Sequence, residues 1–441
     1  MLIRLKQVIL LLGDLLGLHL ALLATLAIRY PSTLIGHHWL RHWPIFWPVF
    51  LIWLLLIYIN NLYSLNWRVK SREFLSGSLS VAITSGLLSI LYFYLNANTE
   101  ITPKTNLAIF SLLFLVWFLL WRRLMQLAIH SPLLKENLAL IGDNQRAKKL
   151  AAELAARPGA GYRIAWTAAG PADLAVLPEA VRSQNIHTVV VADDFGDNER
   201  ISAALFACLA YKISFFNYPD FYELLTGKVP VEAIGPDWFL TNLQEGTKNY
   251  FDFFKQLVDY IAAVLILLVS LPAWPLIALL IKLGSRGPVF FRQARLGRHG
   301  QSFTVIKFRT MRVENNNLAM TAIDDERVTS FGSFLRRSRL DEVPQTINIL
   351  LGDMSLIGPR PERPEFAAEL ARQIPFYATR LLIKPGLTGW DQISGKYHSS
   401  SLPDSLEKLQ YDLFYLKRRS AYLDVSIALR TIATIFNRNG R

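Results

Sequence analysis

The chain has 441 residues, of which 52% are hydrophobic, 12% aromatic and only 18% charged, with a net charge of +13. A soluble domain of ordinary composition carries about 25% charged residues, so the balance points to a membrane, and the length allows two or three domains. The excess of positive charge suits anionic headgroups or phosphorylated substrates. The basic residues sit beside apolar segments, so nucleic acid is not expected as a partner.

Four apolar segments come first, at roughly 8–28, 44–62, 79–95 and 107–121. Each is near the ~20 residues that span a bilayer as a helix, the last two only with flanking residues included. Arg4 and Lys6 precede the first, Arg68, Lys70 and Arg72 lie between the second and third, and Arg122, Arg123 and Lys135 follow the fourth. That distribution places both ends of the region in the cytoplasm, with Arg29 and Arg41 a mild exception. Trp39, Trp43, Trp47, Trp67 and Trp121 suit interfacial anchoring.

At about Ser131 the composition changes. A short apolar run, a turn at Gly142 and an amphipathic stretch follow, and "HTVVVAD" ends at Asp193. Strands alternating with helical patterns predict a small parallel, Rossmann-like α/β domain over 131–235, with a linker at 236–252. Dinucleotide binding needs Gly-x-Gly-x-x-Gly in the first turn. Here Gly142 is followed by Asp143, Asn144, Gln145 and Arg146, so close approach of a pyrophosphate is not expected. The single cysteine, Cys208, lies in an apolar run and reads as a buried thiol, which excludes an intrachain disulfide and a Cys-built zinc centre.

The next apolar run, 257–283, is again long enough to span, but it contains Pro272 and Pro275. Proline in a helix interior costs about 3 kcal/mol. Lys255 flanks one end, and Lys282 and Arg286 flank the other. A re-entrant helix broken at Pro272 is the first reading, and a kinked spanning helix is the alternative. A fifth full span would carry the C-terminal half outside.

Beyond it, Lys282, Arg286, Arg292, Arg295, Arg298, Lys307, Arg309 and Arg312 form a basic stretch without an acidic residue. It reads either as a phosphate-binding patch or as a solvated face beside the membrane. The segment "FLRRSRLDEVPQTINILLGDMSLIGPRPE" at 334–362 then sets Asp341 and Glu342 after three arginines. Pro344 and the apolar pattern after it put the pair at a helix start. One reading makes Asp341 a cap and Glu342 a complement to the helix dipole. The other makes a carboxylate there a nucleophile toward phosphorus. Cations must then offset the approach of anion to anion. Mg²⁺ held by Glu342 and Asp341 could do this, with Arg336, Arg337, Arg339 and Arg360 as phosphate partners. The loop "IKPGLTGWDQ" at 383–392 carries Gly386 and Gly389.

Three pieces in this order, "GPVFFRQARLGRHGQSFTVIKFRTM" at 287–311, "LDEVPQTINILLGDMSLIGPRP" at 340–361 and "KPGLTGWDQISG" at 384–395, resemble the polyprenyl-phosphate glycosyl-1-phosphate transferases. This is the bacterial sugar transferase family that initiates exopolysaccharide and O-antigen synthesis. The four spans and "FYELLTGKVPVEAIGPDWF" at 221–239 look like its large multi-domain members. The resemblance implies a fold of four-span membrane bundle, small α/β domain and α-rich monotopic catalytic domain at 253–441 on a re-entrant helix. It implies a bacterial cytoplasmic membrane enzyme, its site facing the cytoplasm and the molecule a homodimer. The implied reaction moves hexose-1-phosphate from a UDP-sugar to undecaprenyl phosphate and releases UMP. Asp341 would form a covalent phosphosugar intermediate and Glu342 would help hold Mg²⁺. Arg336, Arg339, Lys307 and Arg309 would meet phosphate, with Pro359, Arg360 and Pro361 on the nucleotide side. Two positions depart from the family pattern. Leu271 rather than serine precedes Pro272, with Ser270 one place earlier, and Arg339 stands where many members have serine. Two other readings remain: direct attack by the lipid phosphate in a ternary complex, and a membrane scaffold whose Asp-Glu pair only caps a helix.

Overall fold

The computed structural model describes residues 2–30, 35–65, 67, 69–96, 104–131, 135–192, 199–243, 245–312, 325, 327–393 and 401–436. Asp193 and the end of the 384–395 loop lie outside the described residues. The chain divides into two compact units, Met1–Phe221 and Tyr222–Arg441.

The first unit opens with α1 (Leu2–Arg29), α2 (Ile35–Ile59), α3 (Arg72–Leu95) and α4 (Lys104–His130). All four are long and apolar enough to cross a membrane. Each begins before the segment expected from hydropathy, and α2 ends at Ile59, short of the expected 62. α2 continues through Pro44 and Pro48, as helices among helix neighbours can when the freed carbonyls find other partners. α3 begins one residue after Ser71, whose hydroxyl accepts from Phe74 N at 3.2 Å. α4 runs past Arg122, expected to follow the helix, because that charge is matched inside the bundle. Its guanidinium donates to Asp14 at 2.7 Å, and both side chains are buried.

The seam between α1 and α4 depends on missing side chains. A Cβ on Gly13 would lie 2.1 Å from the Trp121 ring, and one on Gly17 2.0 Å from Trp117. The two indoles fill that space and donate to α1 carbonyls, Trp117 to Gly13 at 3.0 Å and Trp121 to Leu10 at 3.3 Å. Trp121 therefore packs between helices rather than serving only as an interfacial anchor.

A four-stranded parallel sheet completes the first unit, ordered β2-β1-β3-β4. Its strands are β1 (Glu136–Ile141), β2 (Tyr162–Ala168), β3 (Ile186–Val191) and β4 (Ser214–Asn217). Between them run α5 (Gln145–Ala156), α6 (Pro171–Leu174), α7 (Leu177–Ser183) and α8 (Glu199–Ala207). Ala139, Ile141, Val189 and Val191 pack against Leu177, Val181, Ile201 and Leu205. Cys208 is buried in the same cluster, as expected. Gly142 takes a left-handed φ of 124° after β1. Two residues on, the Asn144 side chain accepts from Ala147 N at 2.9 Å and donates to Ala192 O at 3.0 Å. It thus lies across the carboxyl ends of β1 and β3, the place where open parallel sheets take ligands.

α9 (Tyr218–Thr226) leads into the second unit. Residues 222–248, expected to close the α/β domain and begin a linker, belong to the second unit. Glu223 is buried between Lys417 at 2.7 Å and Arg418 at 2.6 Å. Val229 N donates to Gln410 O at 3.0 Å, and Val229, Val231 and Trp238 join the cluster around Leu409 and Leu413. α10 (Pro236–Asn242) occupies much of the expected linker.

Next come α11 (Asn249–Ser270), a 3-10 turn at Leu271–Ala273 that holds Pro272, and α12 (Trp274–Gly284). Together they form a fifth stretch apolar enough for a membrane, with most of it unburied. Both limbs touch the same compact body. Asp259 of α11 accepts from Ser355 Oγ at 2.7 Å. Trp274 of α12 packs on Phe290 and Phe308, and Ile281 on Phe308 and Leu335. Ser270 keeps a role at the break, since its Oγ accepts from Trp274 Nε1 at 3.2 Å.

The body itself is built on β5 (Phe290–Leu296) and β6 (Ser302–Phe308), an antiparallel hairpin, and on β7 (Ser355–Ile357) and β8 (Gly386–Thr388), a short parallel pair. Around them lie α13 (Ser330–Arg337), α14 (Gln345–Leu350), α15 (Pro364–Gln373), α16 (Leu402–Arg418) and α17 (Ala421–Phe436).

Candidate active site

Asp341 and Glu342 lie in a 3-10 turn, Leu340–Glu342, ahead of α14. The residue before the turn, Arg339, adopts φ 58°, a left-handed conformation uncommon for a residue with a Cβ. It turns the chain sharply between α13 and the acidic pair. Neither the turn nor α14 has a side-chain cap, so the capping reading of Asp341 does not hold here. α14 is itself fixed by a residue the sequence reading passed over. Asn348 accepts from Ile306 N at 3.1 Å and donates to Thr304 O at 2.8 Å, stitching the helix to β6.

That stitch sets Lys307 of β6 against the pair. Its Nζ lies 2.9 Å from Glu342 Oε1. Arg360 reaches the same oxygen at 3.1 Å, and Arg339 lies 3.7 Å from Oε2. Burial opposes ionisation of Glu342, but Lys307, Arg360 and Arg339 outweigh it and hold the carboxyl well below the usual range. Asp341 is displaced the other way. Burial and the Glu342 charge push it up to about 6, against the pull of Lys307, Arg339 and Arg336. One of its oxygens, Oδ1, is buried with no hydrogen-bond partner among the described residues. The pair is therefore split into a clamped anion and a carboxyl with a buried, unpartnered oxygen.

Of the other expected site residues, Arg336 lies beside this cluster, its Nε donating to Thr310 Oγ1 at 2.9 Å. Pro359, Arg360 and Pro361 form the loop after β7 and bring the Arg360 side chain in. Arg309 is not brought in. It donates to Arg286 O at 3.0 Å and Ser285 O at 2.7 Å, carbonyls just past the end of α12. Arg337 is exposed on α13, its Nε 3.4 Å from Ser333 O. Pro272 sits in the membrane-helix break, away from the acidic pair in sequence and fold element.

Among the described residues no three His, Cys, Asp or Glu side chains gather as a metal cage. Mg²⁺ usually takes only one or two carboxylates and completes its shell with substrate phosphates and water. The unpartnered Asp341 oxygen beside Glu342 fits that donor set.

The family described as "Bacterial sugar transferase" matches residues 250–438. The chain is 33% identical over 322 residues to the UDP-glucose:undecaprenyl-phosphate glucose-1-phosphate transferase of Xanthomonas campestris pv. campestris, covering 68% of this chain and 66% of the relative. A protein of the same name from Escherichia coli (strain K12) is 31% identical over 311 residues, covering 68% and 67%. The UDP-N-acetylgalactosamine-undecaprenyl-phosphate N-acetylgalactosaminephosphotransferase of Aeromonas hydrophila is 36% identical over 259 residues, covering 58% and 60%. The chain thus spans 60–67% of the length of these relatives. The family match runs from α11 through the acidic pair to α17, and together with the Escherichia coli relative it shows that the chain belongs to the bacterial sugar transferase family.

Proposed function

We propose that this protein transfers a hexose-1-phosphate from a UDP-sugar to undecaprenyl phosphate and releases UMP, the first membrane step in building a polysaccharide repeat unit. The observation that carries the reading is the divided acidic pair: Glu342 clamped by Lys307 and Arg360, and Asp341 beside it with a buried, unpartnered oxygen. The names of the relatives supply the substrate class.

In this mechanism a carboxylate oxygen of Asp341 attacks the phosphorus that bears the sugar. A bond forms between that oxygen and phosphorus, and the bond from phosphorus to the bridging oxygen breaks, so UMP leaves with its electron pair. A phosphate oxygen of undecaprenyl phosphate then attacks the same phosphorus and displaces the Asp341 carboxylate. Arg360, Arg339 and Arg336 hold phosphate oxygens and offset the negative charge that gathers. Lys307 keeps Glu342 ionised and in place. Mg²⁺, held by Asp341 and Glu342, would further neutralise the diphosphate.

The membrane arrangement follows the same reading. The 3-10 turn at Pro272 divides a re-entrant helix whose two limbs return to one cytoplasmic body, and the parallel sheet forms a Rossmann-like domain. Lipid phosphate would then reach Asp341 at the cytoplasmic face of the bacterial inner membrane.

Membranes holding the protein, given a UDP-hexose and Mg²⁺, should release UMP in proportion to added undecaprenyl phosphate. Asp341→Ala should lower the rate at least ~10³-fold, as loss of a nucleophile does. Undiminished release from that variant would remove the nucleophile. Parallel-line kinetics in the two substrates separate the covalent route from a ternary one. A protein that makes no lipid-linked sugar from any UDP-hexose would be the scaffold instead.

A further inference from the structure

The Pro359–Glu362 loop poses a local problem. Two of its four residues are prolines and have no N–H to donate, so the loop must be held by its carbonyls. All four carbonyls are held. Gly386 N donates to Pro359 O at 2.9 Å and Leu296 N to Glu362 O at 2.9 Å. The other two donors are guanidinium groups, Arg295 to Pro361 O at 3.0 Å and Arg380 to Arg360 O at 3.0 Å.

Arg380 is the unusual one. Only 4% of its side chain is exposed, against 39% for Arg360, so it cannot reach a substrate that Arg360 can. It lies in the 3-10 turn Tyr377–Leu382. Its Nη1 donates to Tyr377 Oη at 2.7 Å, and its Nη2 lies 2.8 Å from Asp412 Oδ2 on α16, itself buried. Desolvating a charged pair is costly, and such a pair is retained more readily where it fixes a geometry. Here the geometry is the backbone of the residue whose side chain meets Glu342.

We propose that Arg380, oriented by Tyr377 and Asp412, is a positioning residue that fixes the backbone of Arg360 and so sets the donor nucleotide's affinity without touching it. This rests on the functional reading above, in which Arg360 lies on the nucleotide side. A planar guanidinium can donate to the Arg360 carbonyl and the Tyr377 hydroxyl while it faces the Asp412 carboxylate as a charge pair, which an ammonium cannot do with the same geometry.

The test is a double-mutant cycle on UDP binding, measured by calorimetry on the full-length protein in detergent, with the thermal midpoint followed in parallel. UDP is the probe because it does not react. Tyr377→Phe keeps the ring and removes one acceptor from Arg380. It should weaken UDP binding about tenfold, the worth of roughly one hydrogen bond, and raise KM for the UDP-sugar with kcat little changed. Arg360→Ala should weaken binding by a similar factor. The double variant should bind no more weakly than Arg360→Ala alone, because the Tyr377–Arg380 effect passes through Arg360. Arg380→Lys should behave like Tyr377→Phe if it folds, and Tyr377→Phe carries the test if it does not. Additive losses, or a Tyr377→Phe variant with a lowered midpoint and unchanged UDP affinity, would make Arg380 merely structural and overturn the proposal. Wild-type protein that neither binds UDP nor releases UMP would instead bring down the functional reading, and this inference with it.

Discussion

Asp341 and Glu342 are neighbours in sequence with opposite electrostatic fates, and their variants should separate accordingly. Glu342→Gln leaves Lys307 and Arg360 facing a neutral group in a buried site. Breaking such a pair costs about 3 kcal/mol, so this variant should melt lower and lose activity. Asp341→Asn removes a buried charge that Glu342 repels. It should lose activity yet melt no lower than wild type, and thermal scans in detergent will compare the two. The pH dependence follows from the same displacement. The folded Asp341 holds its proton up to about 6, above the ordinary 3.8, so the fold binds more protons than the unfolded chain between those values. That contribution to stability should grow as pH falls through about 6 toward 4. Melting curves in a chelator should show the gain in wild type and lose it in Asp341→Asn; an identical slope in both would contradict the assignment. The acidic pair and the arginines just before it were legible because they stand together in the sequence. Which carboxylate is clamped was not legible, since Lys307 lies 35 residues away and is brought in only by pairing of β6 with α14 through Asn348.

At the scale of elements, β7 and β8 meet so closely that side chains cannot come between them. A Cβ on Gly386 would lie 2.1 Å from Gly358 N, and one on Gly358 2.5 Å from Lys384 O. Gly386→Ala should therefore force the strands apart, costing about 1–3 kcal/mol as overpacking does. It should also weaken UDP binding, because Gly386 N holds the Pro359 carbonyl. Calorimetry beside a melting curve reads both, and unchanged UDP affinity would show that β8 does not bear on the loop. The segment at 222–248 makes a similar point about length. Its expected reading as a domain end and linker followed composition, but Glu223, Lys228 and Val229 find their partners on α16, more than 170 residues on. Gly227 φ is 69°, and its carbonyl accepts from Trp390 Nε1 at 3.0 Å. No local pattern announces such partners.

For the whole molecule, the question of most consequence is which side of the membrane each end of the α11–α12 segment meets. With Cys208 replaced by serine, Gln256→Cys and Arg286→Cys place single thiols at exposed positions flanking the apolar stretch. A membrane-impermeant maleimide should label both from the cytoplasmic side of inverted vesicles and neither from the outside of intact cells. Labelling from opposite sides would establish a full span and separate the site from a cytoplasmic donor.

Hydrophobic content, charge and the order of short motifs pointed by themselves to a membrane chain in which a parallel α/β element follows four apolar helices, and set Asp341 and Glu342 side by side at a helix start. These features are local, because a stretch of apolar residues or a pair of adjacent carboxylates carries its consequence wherever the chain folds. Only the tertiary structure decided that Arg122 closes on Asp14, that Arg309 turns to the end of the membrane helix, and that Lys307 and Arg360 converge on Glu342. A charged side chain near an apolar segment has many partners within reach, and the partner chosen depends on which distant element packing places beside it. The acidic pair is the feature on which both levels meet, written in two adjacent letters and divided in role by residues far along the chain.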